Sequence, residues 1–153
     1  MKKKRILFVC KHNRFRSKVA EGFFKKYNRN KFYEGYSAGL LPGEYPLDGA
    51  QIKIAKNFGI NLKGKPKPAT MDLLKKIDIV VIVADNVPPE VLSNKKYGRE
   101  EIVWKIRDVY TNNYDDIKKT ISQIEKKVIE FIENLKSKKY DYFLDDQQSK
   151  RFD

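Results

Sequence analysis

Apolar positions along the chain change rhythm in a way that separates strands from helices. Ile6-Leu7-Phe8-Val9 is an unbroken apolar run, the mark of a strand covered on both faces. From Ser17 the period lengthens. Val19, Ala20, Phe23, Phe24 and Tyr27 recur at three and four, which predicts a helix with Ser17 as its N-cap. A second strand is expected over Tyr33 to Ala38. Asp48 is placed to cap a helix carrying Ala50, Ile54, Ala55 and Phe58, with Gly59 as its stop. Thr70 is placed to cap a short helix ending near Lys76. Ile77 to Ala84, reading IDIVVIVA, is the clearest buried strand, and Pro88-Pro89 suits the start of another short helix. Glu101 to Ile106 reads as a fourth strand. Asp115 and Asp116 open the longest helix, whose buried face is Ile117, Ile121, Ile124, Val128, Phe131, Ile132 and Leu135.

Strands therefore alternate with helices, the signature of an α/β fold: an open parallel sheet with helices on both faces. No repeat or linker divides the chain. Residues 1–140 are expected to form one domain and 141–153 a polar C-terminal tail, docked or frayed. Sheets of this kind bind ligands beyond the carboxyl ends of their strands, where the strand order reverses. The stretch after the first strand is the place to look for chemistry.

Composition narrows the setting. The chain has 153 residues, 41% of them hydrophobic, enough for a globular core. No apolar run approaches the ~20 residues that span a bilayer. The apolar run after Met1-Lys2-Lys3-Lys4-Arg5 is too short for a signal peptide. A cytoplasmic protein with no membrane partner is expected. The formal net charge is +13, a field that draws anions of any kind. The basic residues are scattered, with only Lys63-Gly64-Lys65-Pro66-Lys67 as a local patch, so a solvated lysine surface is the simpler reading. Nucleic acid is not the expected partner, and a monomer or weak dimer is. Cys10 is the one cysteine, which excludes an internal disulfide and a multi-cysteine zinc site. No cofactor or metal is called for.

The first strand ends on that cysteine, and the chain continues Cys10-Lys11-His12-Asn13-Arg14-Phe15-Arg16-Ser17. A phosphate monoester carries two negative charges, and its oxygens need many donors. A loop entering a helix offers successive backbone N–H groups and the positive end of a dipole. Arg16 at the loop's end can hold two oxygens through its planar fork. Cys10 at its start then faces phosphorus, and six residues are about what wraps one tetrahedral anion. The same field favours the thiolate, the form that attacks. Ser17 can donate to that sulfur. A turn this tight needs a left-handed residue, and Asn13 is the one that tolerates it. Residues 11 to 17 are thus the expected phosphate cradle. The chain has seven arginines, so Arg16 alone means little. The combination with a strand-ending cysteine, a following hydroxyl and a helix start is what carries weight. His12 is read as a loop side chain with no chemical role of its own.

Cys10, Asn13, Arg16-Ser17 and Ala20-Glu21 resemble the phosphate-loop pattern of the low-molecular-weight protein tyrosine phosphatase family. Ser37-Ala38-Gly39, Gly59-Ile60, Ala84-Asp85 and Asp108-Val109-Tyr110 follow in the family's order, so that the resemblance covers residues 5 to 136. It implies a four-stranded parallel sheet of order 2-1-3-4, a cysteinyl-phosphate intermediate, Asp108 as general acid and Tyr110 as an aromatic wall. The second wall falls in the segment after Gly39, where Tyr45 and Leu41 are the candidates. Lys18 and Val109 stand where the family has prolines, and Phe15 where it often has a second cysteine.

The implied substrate is a phosphotyrosine protein or a small phosphate monoester, hydrolysed without metal because Arg16 and the loop amides supply the charge stabilisation. Asp108, just past the fourth strand, would protonate the leaving group and then activate water, whereas Asp115 and Asp116 are read as first-turn helix residues. Two rivals stand beside this reading. Thioredoxin-coupled arsenate reductases share the fold, and the His12-Asn13 pair and the spacing near Ser37 lean toward them. They pass a disulfide between several cysteines, so this chain would need an external thiol. A non-catalytic anion-binding module would need Arg16 but neither Cys10 nor Asp108, and a cysteine-phosphate phosphotransfer domain needs no Arg16.

Overall fold

The computed structural model describes residues 3–43, 45–92, 99–109 and 112–151, with side chains given as far as residue 137. Four strands, β1 (Lys4–Cys10), β2 (Tyr33–Gly39), β3 (Ile79–Val83) and β4 (Glu100–Trp104), form one sheet of order β2-β1-β3-β4. All three pairings are parallel, with Phe8 beside Ser37 on one side and Val81 on the other. The chain leaves β1 for one neighbour and later returns to its other side. The carboxyl end of β1 is therefore the reversal point.

Both faces of the sheet are covered, which is why β1 and β3 have no polar alternation. Ile6 and Phe8 belong to a core shared with α1 (Arg16–Tyr27), α2 (Gly49–Asn57) and α5 (Tyr114–Arg151). Phe8 sits among Phe24, Trp104 and Phe131, with ring centres 5.7, 6.1 and 6.2 Å away, close enough for tilted and edge contacts. Leu7 and Val9 face the other way, toward Leu74 of α3 (Met71–Leu74) and Leu92 of α4 (Pro89–Leu92). Among the described residues, no helix is long and apolar enough to cross a membrane.

The capping expected of Asp48 and Thr70 is present: their side chains accept from the Gln51 and Leu73 amides. Gly59 ends α2 with φ +78°. Several boundaries differ from expectation by a few residues, three of them for a local reason that the hydrogen bonds show. Ser17 does not cap α1, because its hydroxyl is taken by Cys10 and Asn13 of the loop after β1; the N-cap is Phe15, with no side-chain bond. The strand expected from Ile77 starts at Ile79, since Ile77 N–H turns back to the Leu74 carbonyl. The strand expected to reach Ile106 stops at Trp104, and the Ile106 carbonyl is turned to accept from Asp85 N–H and Arg16. The backbone of α5 continues through 141–151, where a polar tail is expected.

Gly39 joins the sheet edge to the loop after β1. Its N–H donates to the Lys67 carbonyl at 2.7 Å, and its own carbonyl accepts from Ala69 N–H at 2.9 Å. A Cβ at this position would lie 2.7 Å from the His12 carbonyl carbon and 2.8 Å from the Asn13 nitrogen, so backbone atoms, not a flexible side chain, would have to move. Gly39→Ala is expected to cost ~1–3 kcal/mol of stability, the usual range for overpacking. Chemical denaturation checks this; a variant of parental stability would show that the loop does not need the close approach.

Candidate active site

The five residues between β1 and α1, Lys11 to Phe15, curl around the end of the strand and feed into the helix. Asn13 has φ 55°, the one left-handed residue other than glycine among those described, as the loop's tight turn requires. Its backbone N–H points to Cys10 Sγ at 3.3 Å. The side chain is fully buried and saturated: Oδ1 accepts from Lys67 N–H at 2.9 Å, while Nδ2 donates to Ser17 Oγ at 2.7 Å and Ser37 Oγ at 3.1 Å. Ser37 in turn donates to Glu21 Oε1 at 2.7 Å. These bonds set a direction. Ser17 accepts from Asn13, so its own hydrogen is available to Cys10 Sγ, 3.0 Å away. The sulfur thus has both the Ser17 hydroxyl and the Asn13 amide directed at it.

Glu21 anchors the far end of this chain. Burial pushes its pKa up, but hydrogen bonds from Lys25 and Ser37 and the charges of Lys25 and Lys67 more than offset that, leaving it below the ordinary value. Lys18 holds the loop from another side. It is buried, and its ammonium donates to the carbonyls of Lys63 and Lys65 at 3.1 and 3.4 Å. Burial, then the nearby charge of Lys67, lowers its pKa. The basic stretch Lys63 to Lys67 is thus exposed in its side chains but fastened to α1 through its backbone.

Arg16 is 2% exposed, an unusual state for a charge. It is compensated by groups from two other loops. Nη1 donates to the Ile106 carbonyl at 2.9 Å and lies 3.6 Å from Asp85; Nη2 donates to Asn86 Oδ1 at 3.0 Å and lies 3.4 Å from Asp108. Asp108 also accepts from Val109 N–H at 2.9 Å through its other oxygen. Cys10, Arg16 and Asp108 line one cavity of about 440 Å³.

Lys11, His12, Arg14 and Phe15 line that cavity, together with Tyr45. Asn13 and Ser17 do not; both are buried behind the loop and orient it. His12 is not idle: its Nδ1–H donates to the Leu41 carbonyl at 2.7 Å, tying the loop to the segment after β2. Leu41 is exposed and outside the cavity lining. Tyr110 lies outside the described residues. Asp85 and Asn86 were missed as partners of Arg16. Ala84-Asp85 stands out only as a strand end, and Asn86 has no local signal.

Residues 5–141 match the family described as low molecular weight phosphotyrosine protein phosphatase. An arsenate reductase of Halalkalibacterium halodurans is 34% identical over 112 residues, 71% of this chain and 76% of that protein. The solved low molecular weight protein tyrosine phosphatase from T. tengcongensis superposes with a TM-score of 0.72 at 26% identity, covering 86% of this chain and 99% of that one. The YwlE arginine phosphatase from Geobacillus stearothermophilus gives a TM-score of 0.76 at 16% identity over 90% and 96% of the two chains, a likeness of fold alone.

The lowered pKa of Glu21 fixes a pH dependence. A carboxylate whose folded pKa lies below its unfolded one stabilises the fold above the unfolded value and loses that contribution as pH falls through the folded one. Glu21→Gln should therefore be less stable than the parent at neutral pH, with the gap closing below the ordinary value of 4.5. Denaturant midpoints across that range measure it, and a gap that is constant with pH would show that the Glu21 charge contributes nothing.

Proposed function

The chain belongs to the low molecular weight phosphotyrosine protein phosphatase family, and we propose that it hydrolyses phosphate monoesters through a cysteinyl phosphate on Cys10, with phosphotyrosine as the substrate. One observation carries this reading. The only cysteine of the chain shares a cavity with a buried arginine and an aspartate held 3.4 Å from that arginine. A binding module has no use for the sulfur or the carboxyl group.

In the first step Cys10 Sγ attacks phosphorus, the P–O ester bond breaks, and Asp108 gives its proton to the departing oxygen. In the second, Asp108 takes a proton from water, the water oxygen attacks phosphorus, and the S–P bond breaks to return the thiolate and inorganic phosphate. Ser17 stabilises sulfur as nucleophile and again as leaving group. Arg16 and the amides of residues 11 to 17 hold the three non-bridging oxygens. Asp108 lies 3.4 Å from the Arg16 guanidinium; a phosphate dianion on Arg16 competes for that guanidinium and loosens the carboxyl group for proton transfer. Tyr45 and Tyr110 are the proposed walls for the aromatic ring.

The name of the Halalkalibacterium relative favours a second reading, arsenate reduction. Reducing arsenate to arsenite takes two electrons from thiols and leaves sulfur oxidised. Cys10 has no second thiol in the chain to form a disulfide with, so the reductant would be an external thiol. Steady-state hydrolysis of aryl phosphates, set against arsenate reduction with added thiols, separates the two.

Cys10→Ser is expected to abolish hydrolysis while still binding vanadate, and Arg16→Ala to lose both. Substantial turnover by a verified Cys10→Ser protein would rule out the nucleophile. Asp108→Asn should slow hydrolysis of aryl phosphates with basic leaving groups by ~10²–10⁴ and those with nitrophenolate by much less. Asp115→Asn and Asp116→Asn should leave the slope against leaving-group pKa unchanged. Single-turnover rates isolate this step, and equal slopes for parent and Asp108→Asn would show that another group is the acid.

A further inference from the structure

Two side chains of the loop after β1 reach the same neighbour, the chain that follows β2. Backbone bonds begin the attachment: Leu40 N–H donates to the Cys10 carbonyl at 3.0 Å and Leu41 N–H to the Lys11 carbonyl at 2.8 Å. His12 continues it. Its Nδ1 lies 2.7 Å from the Leu41 carbonyl, and because a carbonyl only accepts, Nδ1 carries the proton. Arg14 makes a second attachment further along, where Nη2 donates to the Pro46 carbonyl at 2.7 Å. Leu47 then packs against the core, and Asp48 caps α2. Tyr45 lies between these fixed points, and as the residue before a proline its backbone is biased to extended conformations.

The Tyr45 ring has little packing to hold it. Tyr45 is 72% exposed, yet it lines the cavity with Cys10, Arg16 and Asp108. Arg14 steadies the ring: its guanidinium carbon lies 5.9 Å from the ring centre, within cation–π range. Gly43 lies against both, since a Cβ there would come within 3.8 Å of Tyr45 Cδ2 and 3.9 Å of Arg14 Cδ. A ring covered on one face by a cation has its other face left for a flat apolar group entering the cavity. Resting on the phosphatase reading above, we propose that His12 and Arg14 are positioning residues that hold Tyr45 at the mouth of the cavity, and so make the site selective for phosphate monoesters whose leaving group is an aromatic ring. Arg16 and the loop take the phosphate; Tyr45, held from behind, takes the ring.

The test titrates the full chain calorimetrically with two phosphonates that cannot be hydrolysed: benzylphosphonate, which carries a ring, and ethylphosphonate, which does not. The parent should bind benzylphosphonate about tenfold tighter, the size of one aromatic contact. Tyr45→Ala should bring the ratio close to one. Arg14→Met and His12→Ala should each bring it to about two, because a misplaced ring loses most of the contact. Arg14→Lys keeps a cation and a donor, and His12→Asn keeps an N–H near the place of Nδ1, so each should recover part of the preference. The readout is a ratio of two ligands in one protein, and a general loss of phosphate affinity or of stability does not imitate it. Arg14→Met added to Tyr45→Ala separates positioning from direct contact, since a positioning residue then changes the ratio no further. A parent that binds neither ligand or both equally, a parental preference in Tyr45→Ala, Arg14→Met or His12→Ala, or a further fall in the double variant overturns the inference. Parent enzyme that hydrolyses aryl phosphates while its ratio is one loses the clamp and keeps the phosphatase reading. Parent enzyme inert toward every phosphate monoester, with the ratio and its loss in the three variants present, keeps the clamp and loses that reading.

Discussion

A buried asparagine in a left-handed turn is the constraint on which this site depends. At φ 55° the Asn13 backbone bends the chain back over the end of β1. For a residue with a Cβ that conformation costs ~1–2 kcal/mol. It is held by a carboxamide whose acceptor and both donors are used, by partners from α1, β2 and the segment before α3. Three separate parts of the chain must be in place before the loop is shaped. The same bonds orient the Ser17 hydroxyl toward Cys10, so the shape of the loop and the donor aimed at its sulfur have one cause.

The second constraint is the buried charge of Arg16. A guanidinium taken out of water needs compensation from all sides, and the open parallel sheet provides it. The loops after β3 and β4 emerge at the same end as the loop after β1. They bring Asp85 and Asn86 from one and the Ile106 carbonyl and Asp108 from the other. The arginine is therefore held in one orientation by the fold itself. The early end of β4 is part of this arrangement, because a carbonyl kept in the ladder could not turn to Arg16.

Two of the chain's departures from the family pattern, Lys18 and Phe15, make contacts of their own. Lys18, where a proline is usual, fastens the carbonyls of Lys63 and Lys65 to the start of α1. Proline has no such donor. Phe15, where a cysteine is frequent, is buried in the core shared by α1 and α5. It adds packing at the helix start where a second thiol would have added redox chemistry.

The elements and the loop were legible from residue order because their causes are local. Unbroken apolar runs made β1 and β3 buried strands, and Asp48 and Thr70 capped helices through bonds three residues away. Cys10 and Arg16 could be paired because one loop of consecutive residues joins them, and Asn13 could be picked out because tolerance of positive φ belongs to the residue itself. The partners of that loop were not legible in the same way. Arg16 meets Asn86 and Ile106 across 70 and 90 positions, and Arg14 meets Pro46 across 32. Ser17 looked like a helix cap because the local pattern is the same whether its hydroxyl serves the helix or Cys10. Only the parallel sheet, by bringing three loops to one end, decided which donors and acceptors meet. A backbone turn is set by a few neighbouring torsions, whereas a buried hydrogen bond forms only when packing removes both groups from water.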